Sequence, residues 1–422
     1  MGGDGQVVQV AEVTLVVAGA GLRGTGYARR ARTTGAIVVG VAEPDPVRRT
    51  RFAAEFDLAP ERVFADWRDL AEAGRIADGV VIATQDTEHA RPAVRFAGLG
   101  YHILLEKPMA TTEADCLRIV EAVERAGTML AVCHVMRYTP YTRRIRELVA
   151  EGRIGEPISV QHLEPVGWWH FAHSYVRGNW RRTDDSGPML LTKSCHDIDW
   201  IMHVLGEVPA RVASFGRLSH FRPENRPAGA TDRCLDCPVE PDCAYSATRL
   251  YLSCLGDPRR EVWPLGAVTH DPTEAGVRAA LRTGPYGRCV YASDNDVVDH
   301  QVVNLEFGSG RTASFTVTAF TPHSGRQTRI FGTRGAIEGD GHRLTVSDFV
   351  TGQVWTVETG ADDQAHGHGG GDDALADAFV TAIATGDESL LSSDARESLA
   401  GHRVVWAAER ARRTGTVVTL AG

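Results

Sequence analysis

Long apolar runs are missing from this 422-residue chain; none approaches the ~20 residues a helix needs to cross a bilayer. A basic surplus is missing as well. The net charge is −9, and no basic stripe is visible, which argues against a nucleic-acid partner. Residues Met1 to Val10 have neither a positive leader nor an apolar core, so no secretory signal is read there and a cytoplasmic protein is expected. Eight cysteines fall short of a disulfide framework, and most are expected to be reduced. No internal repeat is found. What remains is 43% hydrophobic with mixed charge, a globular composition long enough for two domains or one large one.

The most informative stretch is Thr14 to Thr34. The apolar run Thr14-Leu15-Val16-Val17-Ala18 predicts a buried parallel strand. Gly19, Gly21 and Gly24 follow at the spacing G-x-G-x-x-G, with Leu22 and Arg23 between them. Such glycines give a tight turn, a close backbone approach to a pyrophosphate, and close helix packing, with the helix N-terminus facing the phosphates. A second predicted strand, Ala36 to Ala42, ends in Glu43, 19 residues after Gly24. A carboxylate there accepts from both ribose hydroxyls and repels a 2′-phosphate, so NAD is favoured over NADP. Arg48 and Arg49, just downstream, are placed to soften that preference.

Strand and helix alternate as far as residue 137, predicting a Rossmann-type doubly wound parallel sheet, whose ligands lie beyond the carboxyl ends of the strands. Gly79 to Ala83 and Tyr101 to Leu105 are two of these strands. Their ends carry Thr84, Asp86 and His89, and Glu106-Lys107-Pro108. From 138 to 422 the pattern becomes an α+β domain with an open, mostly antiparallel sheet. Its predicted strands are Ile158–Pro165, Val208–Leu218, Val298–Phe307, Thr312–Phe320 and Thr328–Phe331, with late helices over Asp372–Thr385 and Ser393–Arg413. The last helix is placed to pack back on the first domain.

Three signals together resemble one family: the glycine fingerprint, Glu106-Lys107-Pro108, and His196-Asp197-Ile198-Asp199 opening a helix. The chain is similar to the Gfo/Idh/MocA oxidoreductases of sugars and inositols. The resemblance implies a nicotinamide at the cleft between two domains, and a homodimer or homotetramer joined through the open sheet. It implies cofactor contacts from Gly19, Gly21, Leu22, Arg23, Gly24, Glu43, Thr84, Asp86, His89, Glu106 and Lys107. It also implies Lys107 and His196 as catalytic groups: an ammonium lowers the cost of an alkoxide, and an imidazole takes a proton near neutral pH. Many family members carry an aspartate four residues before this histidine; here the position is Thr192. Lys193 beside it is a second cation, able to bind substrate oxygens or to act as base if burial depresses its pKa. Asp197 is read either as orienting His196 or as a helix-start residue.

Substrate contacts are expected from His134, Arg137, Tyr138, Trp169, Trp180, Arg181, Thr192 and His196, since aromatic faces with Arg and polar donors suit a sugar ring. Cys234 and Cys237 have zinc-ligand spacing, and Cys243 adds a third thiol; a structural zinc completed by Cys254, Cys289 or a histidine stands beside a reduced or bridged loop. His366 and His368 sit in a glycine-rich stretch, read as a loop rather than a metal site. The leading function is an NAD-dependent dehydrogenase of a sugar, sugar derivative or cyclitol. The alternatives are a glycosidase that cycles NAD without net redox change, by transient oxidation and elimination, and a non-catalytic nucleotide-binding regulator.

Overall fold

A computed structural model describes residues 12–360 and 368–420. The chain forms two compact units that exchange segments several times. The first takes Met1–Gly155, Ile198–Val208 and His342–Val404; the second takes Glu156–Asp197, Pro209–Gly341 and Val405–Gly422. The first unit thus includes chain well beyond residue 138. The reason lies in the late helix Gly371–Thr385, whose Leu375, Ala376, Phe379, Val380 and Ala382 join Tyr27, Ala28 and Ala31 in one core.

The first unit holds β1 (Thr14–Ala18), β2 (Ile37–Ala42), β3 (Val63–Phe64), β4 (Gly79–Ile82), β5 (His102–Leu105) and β6 (Leu130–Val132). All pair in parallel, in the order β3-β2-β1-β4-β5-β6. The central strands are apolar without alternation because helices cover both faces; Val16, Val17, Val80 and Ile82 are buried. The strand order reverses between β1 and β4, which opens a crevice at their carboxyl ends. Side-chain caps start several of the helices. Asp45 accepts from the amides of Val47 and Arg48, Thr112 from Asp115 and Thr139 from Thr142. β6 is shorter than its apolar run, since Val135–Tyr138 tightens into a 3₁₀ turn.

In the second unit lie β7 (Pro157–Pro165), β8 (Pro209–Arg217), β9 (His300–Phe307), β10 (Thr312–Thr318), β11 (Gln327–Gly332) and β12 (Gly335–Gly339). Two further strands, β13 (Arg343–Asp348) and β14 (Val354–Glu358), pair as an antiparallel hairpin in the first unit. The final strand is β15 (Val418–Thr419), and the second unit's sheet runs β12-β11-β7-β10-β9-β8-β15. Within it β7 and β10 pair in parallel, whereas β9–β10, β11–β12, β7–β11, β8–β15 and β8–β9 are antiparallel. Alternation sets the faces: Ala313, Phe315 and Val317 of β10 point inward, and the residues between them do not. Strands β12 to β14 are additions to the sequence reading. β12 is bounded by glycines at both ends, and β14 buries no residue, so neither carries a strong apolar signal. Between β8 and β9 the chain forms short helices (Ala247–Leu252, Pro258–Val262, Glu274–Thr283) around a small core of Tyr251, Cys254, Leu265, Val277 and Leu281.

Candidate active site

The glycine turn has the geometry its spacing implies. Gly19 sits at φ +95°, and a Cβ there would lie 2.4 Å from the Ala83 carbonyl oxygen. At Gly24 a Cβ would lie 1.9 Å from the Gly19 carbonyl oxygen, so the helix packs against the turn with no room for a side chain. Gly21 differs: a Cβ there meets nothing within 4 Å. It starts the helix Leu22–Thr33, which has no side-chain cap and no acidic residue in its first turn. Open space therefore adjoins backbone N–H groups at the positive end of a helix, which suits an anionic pyrophosphate. Glu43 is buried; its Oε2 accepts the Ala20 amide at 2.7 Å and its Oε1 the Asp45 amide at 2.9 Å, so the carboxylate braces the turn. Arg49 is tied down, donating to the carbonyls of Glu43 and Pro44. The donor set, the open space at Gly21 and the carboxylate at the end of β2 fit a dinucleotide.

Lys107 stands half-buried at the end of β5. Its neighbour Glu106 is buried, accepting from Arg23 Nε at 2.5 Å and from the Lys107 amide at 2.8 Å. Burial opposes the charged form of Glu106, yet Arg23 and Lys107 hold its carboxyl below the usual range. The Arg23 guanidinium also reaches Asp372 at 2.7 Å and the Tyr27 hydroxyl at 2.5 Å. Three protein side chains thus hold this guanidinium, which the sequence reading assigns to the cofactor. His89 is fully buried, with Nδ1 at 2.7 Å from the Pro108 carbonyl oxygen and Nε2 at 3.2 Å from that of Thr84. Both ring nitrogens face backbone carbonyls, and the Nδ1 contact is the shorter. The Thr84 hydroxyl, shielded from solvent at the end of β4, has no partner among the described residues. Asp86 lies half-buried in the short 3₁₀ turn that follows.

The residues after β6 turn inward. Arg137 grips Asp199 with Nε and Nη2, both at 2.7 Å, and Tyr138 shares a 3.0 Å hydrogen bond with Ser393. His134 is fully buried with Nδ1 3.8 Å from Asp199; burial pushes its pKa down to about 4. The sequence reading gives these three side chains to the substrate; Arg137 and His134 face the buried Asp199 and Tyr138 faces Ser393, partners that aromatic and basic spacing alone does not reveal.

In the second unit His196 is 5% exposed, and the Thr192 hydroxyl donates to the Pro188 carbonyl at 3.4 Å. Lys193 Nζ pairs with Glu164 Oε1 at 3.2 Å. Glu164 meets Arg326 at 2.8 Å, and Arg326 meets Asp197 at 2.5 Å. Asp197 also pairs with His162 at 3.1 Å, whose other nitrogen is 2.8 Å from Thr328 Oγ1. Asp197 is therefore occupied by His162 and Arg326, neither of which the sequence reading names. Its carboxyl is held well below the usual range: burial opposes the charge, and Arg326 and His162 outweigh burial. Composition holds a signal passed over in the sequence reading: among the 45 basic residues only two are lysines, Lys107 and Lys193. Trp169 packs in an aromatic group, 5.3 Å from both Trp263 and His323 between ring centres. Trp180 stacks on Tyr175 at 5.8 Å, and Arg181 pairs with Asp294 at 2.8 Å.

Solved structures share this fold along nearly the whole chain. Residues 13–134 match the family described as "Oxidoreductase family, NAD-binding Rossmann fold", and residues 146–420 match its "C-terminal alpha/beta domain". The chain belongs to the Gfo/Idh/MocA oxidoreductases. Oxidoreductase YteT of Bacillus subtilis (strain 168) is 27% identical over 311 residues, covering 72% of this chain and 70% of that protein. The 2,7-anhydro-N-acetylneuraminate hydratase of Escherichia coli (strain K12) is 30% identical over 156 residues, 37% of this chain and 41% of the relative. Among solved structures, an inositol dehydrogenase homolog from Azotobacter vinelandii, complexed with NADH and myo-inositol, has a TM-score of 0.66 at 17% identity. The match covers 97% of this chain and 98% of that one.

The cysteine insertion of this Gfo/Idh/MocA chain gives no support to zinc. Cys234, Cys237, Cys243 and Cys289 line one cavity beside Arg177, whereas Cys254 points into the small core. Yet among the described residues no group of three His, Cys, Asp or Glu side chains is arranged to hold a metal ion, and none of the eight cysteines is in a disulfide. His366 lies outside the described residues. No described helix is long and apolar enough to cross a membrane.

Proposed function

We propose that this chain is an NAD-dependent dehydrogenase moving a hydride between the cofactor and a hydroxyl-bearing carbon of a sugar, sugar derivative or cyclitol. The observation that carries the reading is the Arg23–Glu106 contact. It ties the first turn of the glycine-led helix to the residue before Lys107, so that phosphate cradle and lysine belong to one braced assembly. When bound, the nicotinamide supplies the hydride acceptor. The Lys107 ammonium donates to the substrate oxygen at the reacting carbon and offsets its developing charge. The His196 imidazole takes the hydroxyl proton. Lys193, held by Glu164, offers a second cation to substrate oxygens, with Thr192, Trp169, Trp180 and Arg181 as further contacts. Glu43 selects NAD over NADP, and the engagement of Arg49 by backbone carbonyls leaves that selection intact.

A homodimer or homotetramer is supported by large apolar residues exposed on the second unit's sheet, Phe215 of β8 at 65% and Phe331 of β11 at 37%. A cytoplasmic setting agrees with eight cysteines of which none is in a disulfide. The redox-neutral glycosidase stands as the second reading, favoured by Thr192 in place of an aspartate and by the hydratase among the relatives.

The test is a screen of sugars, inositols and glycosides with NAD and NADP, followed at once for NADH and for released aglycone. Steady NADH supports the dehydrogenase; aglycone without net NADH supports the glycosidase. Lys107→Ala is expected to keep NAD binding and to lose more than tenfold in turnover. Turnover within tenfold of wild type removes Lys107 from the chemistry.

A further inference from the structure

Three backbone groups in a row around Lys107 are each held by a buried side chain. The Lys107 amide donates to Glu106 Oε2 at 2.8 Å, the Pro108 carbonyl lies 2.7 Å from His89 Nδ1, and the Met109 amide donates to His402 Nε2 at 2.9 Å. His402 comes from the helix Ala395–Thr414, nearly three hundred positions downstream. Its Nδ1 lies 2.7 Å from the Ser398 carbonyl oxygen. A carbonyl only accepts, so Nδ1 carries the proton and Nε2 is left bare to receive the Met109 amide. Burial, with His134 nearby, pushes the His402 pKa down to about 3, which keeps this neutral tautomer in place.

We infer that His402 and His89 are positioning residues that fix where the Lys107 side chain begins, and so where its ammonium rests. The inference rests on the reading of Lys107 as the catalytic lysine. Lysine's four-carbon stem is flexible, so its aim depends on the backbone at its root. A misplacement of about 1 Å at such a group costs on the order of 100-fold in rate. Neither histidine has a nitrogen left for substrate, since all four ring nitrogens meet backbone groups of the same unit.

The experiment compares full-length His402→Gln, His402→Asn and His402→Leu with Lys107→Ala. Glutamine's amide oxygen reaches the position of Nε2 and accepts the Met109 amide; asparagine reaches only the position of Nδ1; leucine does neither. Two readouts need no substrate. One is hydrogen exchange at the peptide spanning Lys107 to Met109. The other is the rate at which an amine-reactive label takes Lys107, read by peptide mapping against the chain's one other lysine, Lys193. The third is turnover on the compound returned by the screen, with NAD binding followed by tryptophan fluorescence.

The Asn and Leu variants are expected to exchange at least tenfold faster at this peptide and to change the Lys107 labelling rate. They should also lose at least 30-fold in kcat, with KM and NAD affinity within threefold. Gln should restore all of these to within fivefold. Equal losses in Gln and Asn, or exchange and labelling unchanged in both Asn and Leu, overturn the inference; if Leu fails to fold, Asn against Gln decides. Should Lys107→Ala kill turnover while His402→Asn does not, the positioning role falls and the lysine stands. Should Lys107→Ala leave turnover intact, the reading of the site falls first.

Discussion

Glu106 joins Arg23 through a 2.5 Å contact while its other oxygen holds the Lys107 amide, so one buried carboxylate serves the phosphate-binding helix and the lysine turn together. Replacing it with glutamine keeps an acceptor for the amide and removes the charge that Arg23 faces. Glu106→Gln is therefore expected to lower stability by roughly 1.5–3 kcal/mol, the worth of a hydrogen bond to a charged group. The denaturant midpoint reports this directly. NAD affinity should fall with it, because Arg23 sits in the first turn of the helix that faces the pyrophosphate.

Lys193 gives a second prediction. Of 45 basic residues, arginine fills every position but two, and a guanidinium cannot give up a proton in the working pH range. Lys193→Arg keeps a cation beside Glu164 and removes the proton donor. A drop of about 100-fold in kcat is expected if the amine moves a proton. A drop of threefold or less, measured at saturating substrate, reduces Lys193 to an ion-pair partner.

The parallel sheet was legible because its signals are local. Apolar runs and the spacing of Gly19, Gly21 and Gly24 lie within a few residues of what they specify. The place of Lys107 just past the end of β5 was legible for the same reason, since an apolar run leads to it. The partners were not. Asp372 reaches Arg23 across 349 positions, Asp199 reaches Arg137 across 62, and Arg326 reaches Asp197 across 129. Each is an ordinary charged residue in the sequence, and only the fold brings it to its counter-charge. This is why Arg23, Arg137 and Asp197 read as ligand-facing or cap residues and are found occupied. Strand β14 escaped for a different reason: it buries none of its residues, so no core-facing alternation marks it.

The glycines supply a paired test. Gly24→Ala puts a Cβ 1.9 Å from a carbonyl oxygen that belongs to the turn itself, so something must move. A loss of about 3 kcal/mol, the upper range for overpacking, is expected from thermal or denaturant unfolding. Gly21→Ala meets nothing within 4 Å and keeps a backbone conformation open to any residue, at φ −69° and ψ −168°. Its stability should stay within about 0.5 kcal/mol of wild type. Its NAD dissociation constant should still rise at least tenfold, because the added methyl occupies the space kept for the pyrophosphate. Unchanged NAD binding in Gly21→Ala would place the dinucleotide elsewhere.

Acid sensitivity follows from the buried histidines. His134 titrates at about 4 and His402 at about 3 in the folded chain, both lowered chiefly by burial, against about 6.5 when exposed. Below pH 6.5 the unfolded chain takes up protons that the folded chain refuses, so stability falls as pH falls. The loss begins near pH 6.5 and for His134 levels off near pH 4. Its size for that residue alone is on the order of 3 kcal/mol. Asp199 has a lowered pKa, so its contribution is present above the ordinary carboxyl range and is lost only in stronger acid, which separates the two windows. His134 faces Asp199, Arg137, Lys107 and Glu106, and the His402 ring lies 5.8 Å away between ring centres. The unfolding midpoint of the wild type should therefore drop between pH 6.5 and 4. His134→Asn should unfold more readily at neutral pH and show a shallower slope across that interval. A wild-type midpoint that is flat from pH 6.5 to 4 would mean that these rings are protonated in the fold, and that His402 is not the acceptor for Met109.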